Sequence, residues 1–307
     1  MSVQINELQI ACGFLTFMGL DERKHIIESG ITLKNLYNRY GDKIKKENVC
    51  STMKWLDENP DVSVWHYGEK DYPFSDESGY RLPYNLFCRG KRSNLRKIAI
   101  IGTRFPSYNA LKKAFIFGIE SNLNGFRVVS GIAEGCDQAA LSGSIEAAKK
   151  GYGIAGVTVL PCGHSVDYPS NSLGLKNDLL EYGGLIISEF PPLMPALKYN
   201  FLYRNLLIAS ICHSLVDIQS PLKSGANQTF DLACDMGRDV YVSDEGCSDN
   251  EVSMGSFAYH RDGCMSVSSL IEIFDDAVYQ VKDCDNESEC FFNYGNSFYV
   301  LEKVYKN

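Results

Sequence analysis

Between Lys97 and Ser243 the chain repeats one rule six times: an apolar run, a small-residue turn, then an amphipathic segment. KIAIIGTRFPS, FRVVSGIAEG, GVTVLPCGHS, LIISEFPP, SLVDIQSPLKSGANQ and RDVYVSDEG each close a β-branched run with Gly, Ser or Pro. Strands that are apolar without alternation are buried on both faces, as in a parallel sheet between helix layers. Helices are expected between them, over 107–123, 135–149, 170–182, 203–212 and 225–236. The fold class is therefore α/β, a doubly wound and mostly parallel sheet across residues 97–280. Open sheets of this kind bind ligands beyond the carboxyl ends of their strands, where strand order reverses.

The flanks have other patterns. In residues 1–60, LQIACGFLTFMGL, RKHIIESG and TLKNLYNRYGDKI place apolar side chains three and four apart, with Gly30 and Gly41 as stops. This predicts a small helical module of three short helices. Residues 61–96 mix aromatics with Pro and Gly and are expected to form an extended connector. After Ser243 a polar stretch (DEGCSDNEVSMGS) is expected as loop. SVSSLIEIFDDAVYQV should then form a helix capped by Ser266 or Ser268. The tail, 281–307, is acidic and aromatic and is expected to form a helix on the body.

Net charge bounds the function. With 38 acidic against 30 basic residues the chain carries −8, so nucleic-acid binding needs a local basic patch. No run approaches ~18 uninterrupted apolar residues, and no membrane span is expected. The N-terminus lacks the pattern of a secretory signal. The 11 cysteines include no CxxC pair and no metal-ligand spacing, and several (Cys12, Cys212, Cys234) sit in apolar contexts. They are expected to be reduced core residues of a cytoplasmic protein, with no metal.

The turns carry the candidate chemistry. Gly102-Thr103-Arg104 precedes a helix beginning near Ser107, where helix amides suit a phosphate and Arg104 can add a bidentate contact. Ser130-Gly131-Ile132-Ala133-Glu134-Gly135 offers a hydroxyl and a nest of backbone amides, with Asp137 placed to cap the next helix. Lys223-Ser224-Gly225 sets a cation ahead of another helix N-terminus. Neither GxGxxG nor GxxxxGK[ST] is present, so no nucleotide cofactor is expected. Arg204 adds a cation, and Phe201 and Tyr203 beside it could stack on bases. No HExxH or GxSxG occurs, and no catalytic residue is expected.

In order, GTR (102–104), SGIAEGCD (130–137), VLPCG with DYPSN (159–171), SEFPP (188–192), FLYRNLLIAS (201–210), KSG (223–225) and GRDVYV (237–242) resemble the DprA/Smf family of bacterial DNA-processing proteins. DYP at 71–73 and NLFCRG at 85–90 match the approach to that family's Rossmann-like domain. The resemblance implies a Rossmann-like fold and single-stranded DNA binding without an enzymatic step. It further implies a homodimer and a role in natural transformation, loading the RecA recombinase onto incoming strands. The family's DNA pocket carries over to Arg104, Lys223, Ser224 and Gly225, and Arg204 matches the first arginine of the family's RNR.

Three departures stand out. Glu134 replaces the arginine of SGLARG, Leu141 the usual histidine, and Leu206 the second arginine of RNR. The spacing from Tyr168 to Asn171 is also one residue short. Two alternatives stay open: a nucleotide-binding sensor, and an N-glycosidic nucleotide hydrolase on a related fold, with Glu189 or Glu134 as its catalytic candidate.

Overall fold

The computed structural model describes residues 6–16, 18–69, 72–73, 82–274, 278–284 and 290–304. The chain divides into two compact units. The first comprises Met1–Gly90, Leu160–Tyr168 and Ile186–Phe201; the second comprises Lys91–Val159, Pro169–Leu185 and Leu202–Asn307.

Among the described residues of the first unit four helices precede the first strand: α1 (Glu7–Gly13), α2 (Leu20–Glu28), α3 (Leu33–Tyr40) and α4 (Lys46–Glu58). The fourth exceeds the three expected, because Val49, Thr52 and Leu56 form a buried stripe interrupted by charges. Ile10, Leu15, Leu36, Ile44, Val49 and Leu56 close one apolar cluster with Val62, Val64 and Phe87 of the strands that follow. Those strands, β1 (Val62–His66) and β2 (Asn85–Gly90), pair antiparallel where the sequence suggested only a connector. Asn85 ties β2 to α1, donating to the Gln9 and Ile10 carbonyls while accepting from the His66 ring at 2.7 Å.

The second unit is built on parallel strands: β3 (Lys97–Ile101), β4 (Arg127–Ser130), β5 (Val157–Val159), β7 (Ser214–Asp217), β8 (Asp239–Ser243) and a short β9 (Ser266–Val267). β6 (Leu185–Ser188) is the remaining strand of the six apolar runs. The order is β5-β4-β3-β7-β8-β9, so the chain winds outward from β3 first one way and then the other. The helices are α5 (Tyr108–Leu123), α6 (Cys136–Lys149), α7 (Leu173–Glu181), α8 (Asn200–Ile211) and α9 (Gly225–Asp235), close to the expected spans. Right-handed crossovers in opposite directions put α5 and α6 on one face of the sheet and α9 on the other. The switch in strand order falls between β3 and β7, and that places the site.

Arg127, at the start of β4, is fully buried among neutral acceptors. It donates to the carbonyls of Ala155, Lys91 and Gly183 and to the Ser93 hydroxyl at 2.8–3.2 Å. Burial lowers its pKa to about 10.

The C-terminal part departs from expectation. The polar stretch after Ser243 carries a 3-10 turn at Asp244–Gly246 and leads into α10 (Met254–Arg261). The helix expected over 266–281 is replaced by β9, a 3-10 turn (Leu270–Glu272) and strand β10 (Tyr279–Cys284). Buried Glu120 of α5 explains why: its carboxylate accepts from the Ser269 hydroxyl and from the amides of Leu270 and Val281. The cap is Ser269, whose hydroxyl accepts from Ile271 N. The tail is likewise a sheet instead of a helix, in the order β10-β12-β11 with β11 (Phe292–Tyr294) and β12 (Ser297–Lys303). Val281, Phe292 and Tyr299 point from it onto Phe115, Ile119 and Leu123 of α5. All 11 cysteines are free, but Cys50 and Cys234 are exposed instead of buried in the core; Cys234 lies on the outer side of α9.

Candidate functional site

The site forms where β3 and β7 end side by side. Gln219, just past β7, accepts the Thr103 amide at its carbonyl (2.7 Å) and the Ser107 amide at its side-chain oxygen (2.8 Å). From the other side the Cys136 amide donates to Thr103 O at 3.3 Å. Ser107 caps α5 by accepting from Ala110 N. The GTR turn is thereby held along its length, and Arg104 stands exposed on it.

The KSG turn is the neighbouring element. Lys223 is exposed and adopts φ 58, the left-handed region that a branched or long side chain rarely enters. Ser224 caps α9 in a reciprocal box with Asn227: its hydroxyl accepts from Asn227 N while Asn227 Oδ1 accepts from Ser224 N. Among the described residues no acceptor takes the first-turn amides of Gly225 and Ala226. Gly225 is exposed and Ala226 half-buried beside Lys223, and unsatisfied amides at a helix N-terminus next to a cation favour an anion.

Beneath this turn lies a buried polar network the sequence did not suggest. Asp217, the last residue of β7, accepts from the hydroxyls of Ser220 (2.5 Å) and Ser256 (2.9 Å). Asn227 donates to Ser220 Oγ at 3.1 Å, which links the cap of α9 to the carboxylate. Burial pushes the Asp217 carboxyl up to about 6 against the pull of those two hydroxyls. Its Oδ1 meets no donor among the described residues.

The other candidate residues are engaged within the framework. Ser130 is buried, and its hydroxyl donates to Ile100 O at 2.7 Å. The nest after β4 already holds an anion of the chain's own: Asp137 Oδ2 accepts from the amides of Gly131 (3.1 Å) and Ala133 (3.2 Å). Between them Ile132 is buried at φ 59. Arg204 is buried too, with Nη1 3.7 Å from Asp137 Oδ2. Burial raises the Asp137 pKa, opposed first by Arg204 and then by those amides. Gly131 is required by this contact, since a Cβ there would fall 1.6 Å from Arg204 Nη1. Gly102 answers a similar internal demand: a Cβ would lie 2.5 Å from Cys136 Sγ.

Phe201, half-buried in the first unit, packs edge-on against Tyr168 at 5.5 Å, and Tyr203 is half-buried on α8. Glu134 is exposed and accepts from Asn171 Nδ2 at 2.9 Å. Leu141 and Leu206, which stand where the family carries His and Arg, are buried. Among the described residues no cluster of His, Cys, Asp and Glu could hold a metal, and no helix is long and apolar enough to cross a membrane.

A doubly wound sheet whose strand order reverses between β3 and β7 defines a Rossmann-like protein. A more specific assignment comes from sequence: the model of the family described as DNA recombination-mediator protein A matches residues 63–277, and the chain belongs to that family. Among characterised relatives, protein Smf of Borreliella burgdorferi is 29% identical over 72% of this chain and 68% of its own length. Protein Smf of Escherichia coli is 27% identical over 89% and 69%. The solved DNA processing protein A of Streptococcus pneumoniae superposes with a TM-score of 0.67 at 22% identity, covering 89% of this chain and 99% of that one. That of Helicobacter pylori, a protein with a described single-stranded DNA binding mode, gives 0.59 at 23%, covering 69% and 93%. Both likenesses show the fold.

Proposed function

We propose that this chain binds single-stranded DNA non-catalytically at the β3/β7 switch point. The observation that carries the reading is the pairing of two exposed cations, Arg104 and Lys223, on adjacent turns with the open amides of Gly225 and Ala226. The cations neutralise successive phosphates, and the α9 amides receive a phosphate oxygen. Gly102 and Ser224 shape those two turns, and Ser130, Gly131 and Arg204 hold the adjoining turn after β4. Such contacts are sequence-independent, which suits a protein that coats strands without reading bases. Family membership supports a place in recombination, with the protein acting in the cytoplasm as a homodimer that hands the strand to RecA.

Fluorescence anisotropy with labelled oligo-dT across a salt series tests the reading. Binding that weakens with salt, and disappears in the Arg104→Ala/Lys223→Ala variant, is the expected result. Saturable binding of mononucleotides with none of oligo-dT would replace it with a nucleotide sensor.

A further inference from the structure

Phe105 follows Arg104 directly, and 79% of its surface is exposed, the highest of any large apolar side chain among the described residues. An apolar ring of this size in water is a cost unless something covers it. Its surroundings make it more than a loose surface residue. The Phe105 amide donates to Thr103 Oγ1 at 3.2 Å, and Thr103 and Ser107 on either side are fixed by Gln219. Pro106 restricts the backbone of Phe105 and fixes its own φ. The ring therefore leaves a rigid backbone and stays open to solvent.

We propose that Phe105 is a base-stacking platform: the nucleobase next to the phosphate held by Arg104 lies on its ring. The inference rests on the single-strand reading above and adds to it the contact that distinguishes a nucleic acid from a bare polyanion. Phosphates drawn to Arg104 and Lys223 bring bases with them, and an exposed aromatic one residue from the cation is within the reach of a single nucleotide. Every base has a π-face, so such a platform adds affinity without imposing sequence preference. It also offsets the low number of cations in a chain of net charge −8.

The test compares a labelled oligo-dT strand with an abasic strand of equal length, which keeps the phosphates and lacks the bases. The wild type should prefer oligo-dT. Phe105→Ala should lose roughly 5- to 150-fold on oligo-dT, with abasic-strand affinity, salt slope and thermal unfolding unchanged. Phe105→Tyr should restore oligo-dT binding. If Phe105→Ala binds oligo-dT like the wild type while Arg104→Ala/Lys223→Ala does not, stacking is wrong and the phosphate site stands. If the wild type binds neither strand, both proposals fall together.

Discussion

Arg204 Nη1 lies 3.7 Å from Asp137 Oδ2, with both side chains buried, and the guanidinium rests against the backbone of Gly131. The pair locks α8 to the turn after β4, and Asp137 fills with its own carboxylate the nest that a ligand phosphate would otherwise enter. Removing one partner leaves a buried charge uncompensated, which typically costs ~3–5 kcal/mol. Arg204→Ala should therefore unfold at much lower urea, by a loss of that size, with Arg204→Lys intermediate. A loss below about 1 kcal/mol, within the range of an exposed ion pair, would return Arg204 to the list of phosphate contacts.

With Arg204 engaged inside the fold, two of the proposed phosphate contacts, Arg104 and Lys223, are exposed. Each phosphate neutralised on a single strand contributes ~0.7 to the salt slope, so log K should fall against log salt with slope of about −1.4. Arg104→Ala and Lys223→Ala should each weaken oligo-dT binding by about tenfold and flatten the slope. Glu134→Arg should strengthen binding and steepen it, because Glu134 is exposed on the turn that flanks Arg104. A slope near zero at measurable affinity would exclude the phosphate track.

Much of this architecture was legible in the chain because the apolar runs are long enough to declare themselves. Six runs gave six strands, and Arg104 and Lys223 fall on the two turns at the switch point. Arg127 was invisible: an arginine opening FRVVS gives no sign that four neutral groups will surround it. SGIAEGCD showed the nest, but not that Asp137, six residues after Gly131, would fold back to occupy it. The C-terminal segment misled because SLIEIF fits helical spacing, and only the buried Glu120 of α5 diverts its amides. Long-range capture of a local pattern leaves no local signal.

Burial raises two carboxyls with one sign of effect. Glu120 stands at about 7, against backbone and hydroxyl hydrogen bonds, and Asp217 at about 6. Both lie above their ordinary unfolded values of ~4.3 and ~3.9. The stability each contributes is fully present below the unfolded value. It is lost as pH rises toward the folded value, because the unfolded chain ionises first. Each should cost on the order of 3 kcal/mol across roughly pH 4 to 7. Asp217→Asn, which imitates the protonated acid, should flatten the profile between pH 4 and 6, and Glu120→Gln between pH 4 and 7. Denaturant titrations along that range with unchanged slopes in both variants would show that neither carboxyl sets it.

Arg127 is a cation held by carbonyls instead of a carboxylate, joining residues 91–93, β4, the approach to β5 and the Gly183 turn. Arg127→Met preserves bulk but leaves those acceptors buried and unmet, at ~1–3 kcal/mol each where no relaxation is possible. We expect a loss of several kcal/mol in unfolding free energy. Oligo-dT affinity of the folded fraction should be unaffected, since the residue lies at the opposite end of β4 from the site. Near-wild-type stability would mean that water replaces the guanidinium.

Lys223 separates stability from binding. At φ 58 a non-glycine residue carries a cost of ~1–2 kcal/mol, and backbone strain of this kind persists where the surrounding structure enforces it. Here the Ser224–Asn227 box and the Asp217 network fix the turn from below, so the strained residue is held with its ammonium outward. Glycine relieves the strain but gives back ~0.5–1 kcal/mol through the freedom of its unfolded chain. Lys223→Gly should consequently be as stable as the wild type or more stable by about 0.5 kcal/mol, while losing oligo-dT affinity as fully as Lys223→Ala. Lys223→Ala keeps the strain and should be no more stable than wild type. Urea midpoints and anisotropy on the same three proteins decide the matter. If Lys223→Gly is the least stable of the three, the left-handed conformation is not a strain relieved by glycine, and the charge is not what keeps lysine there.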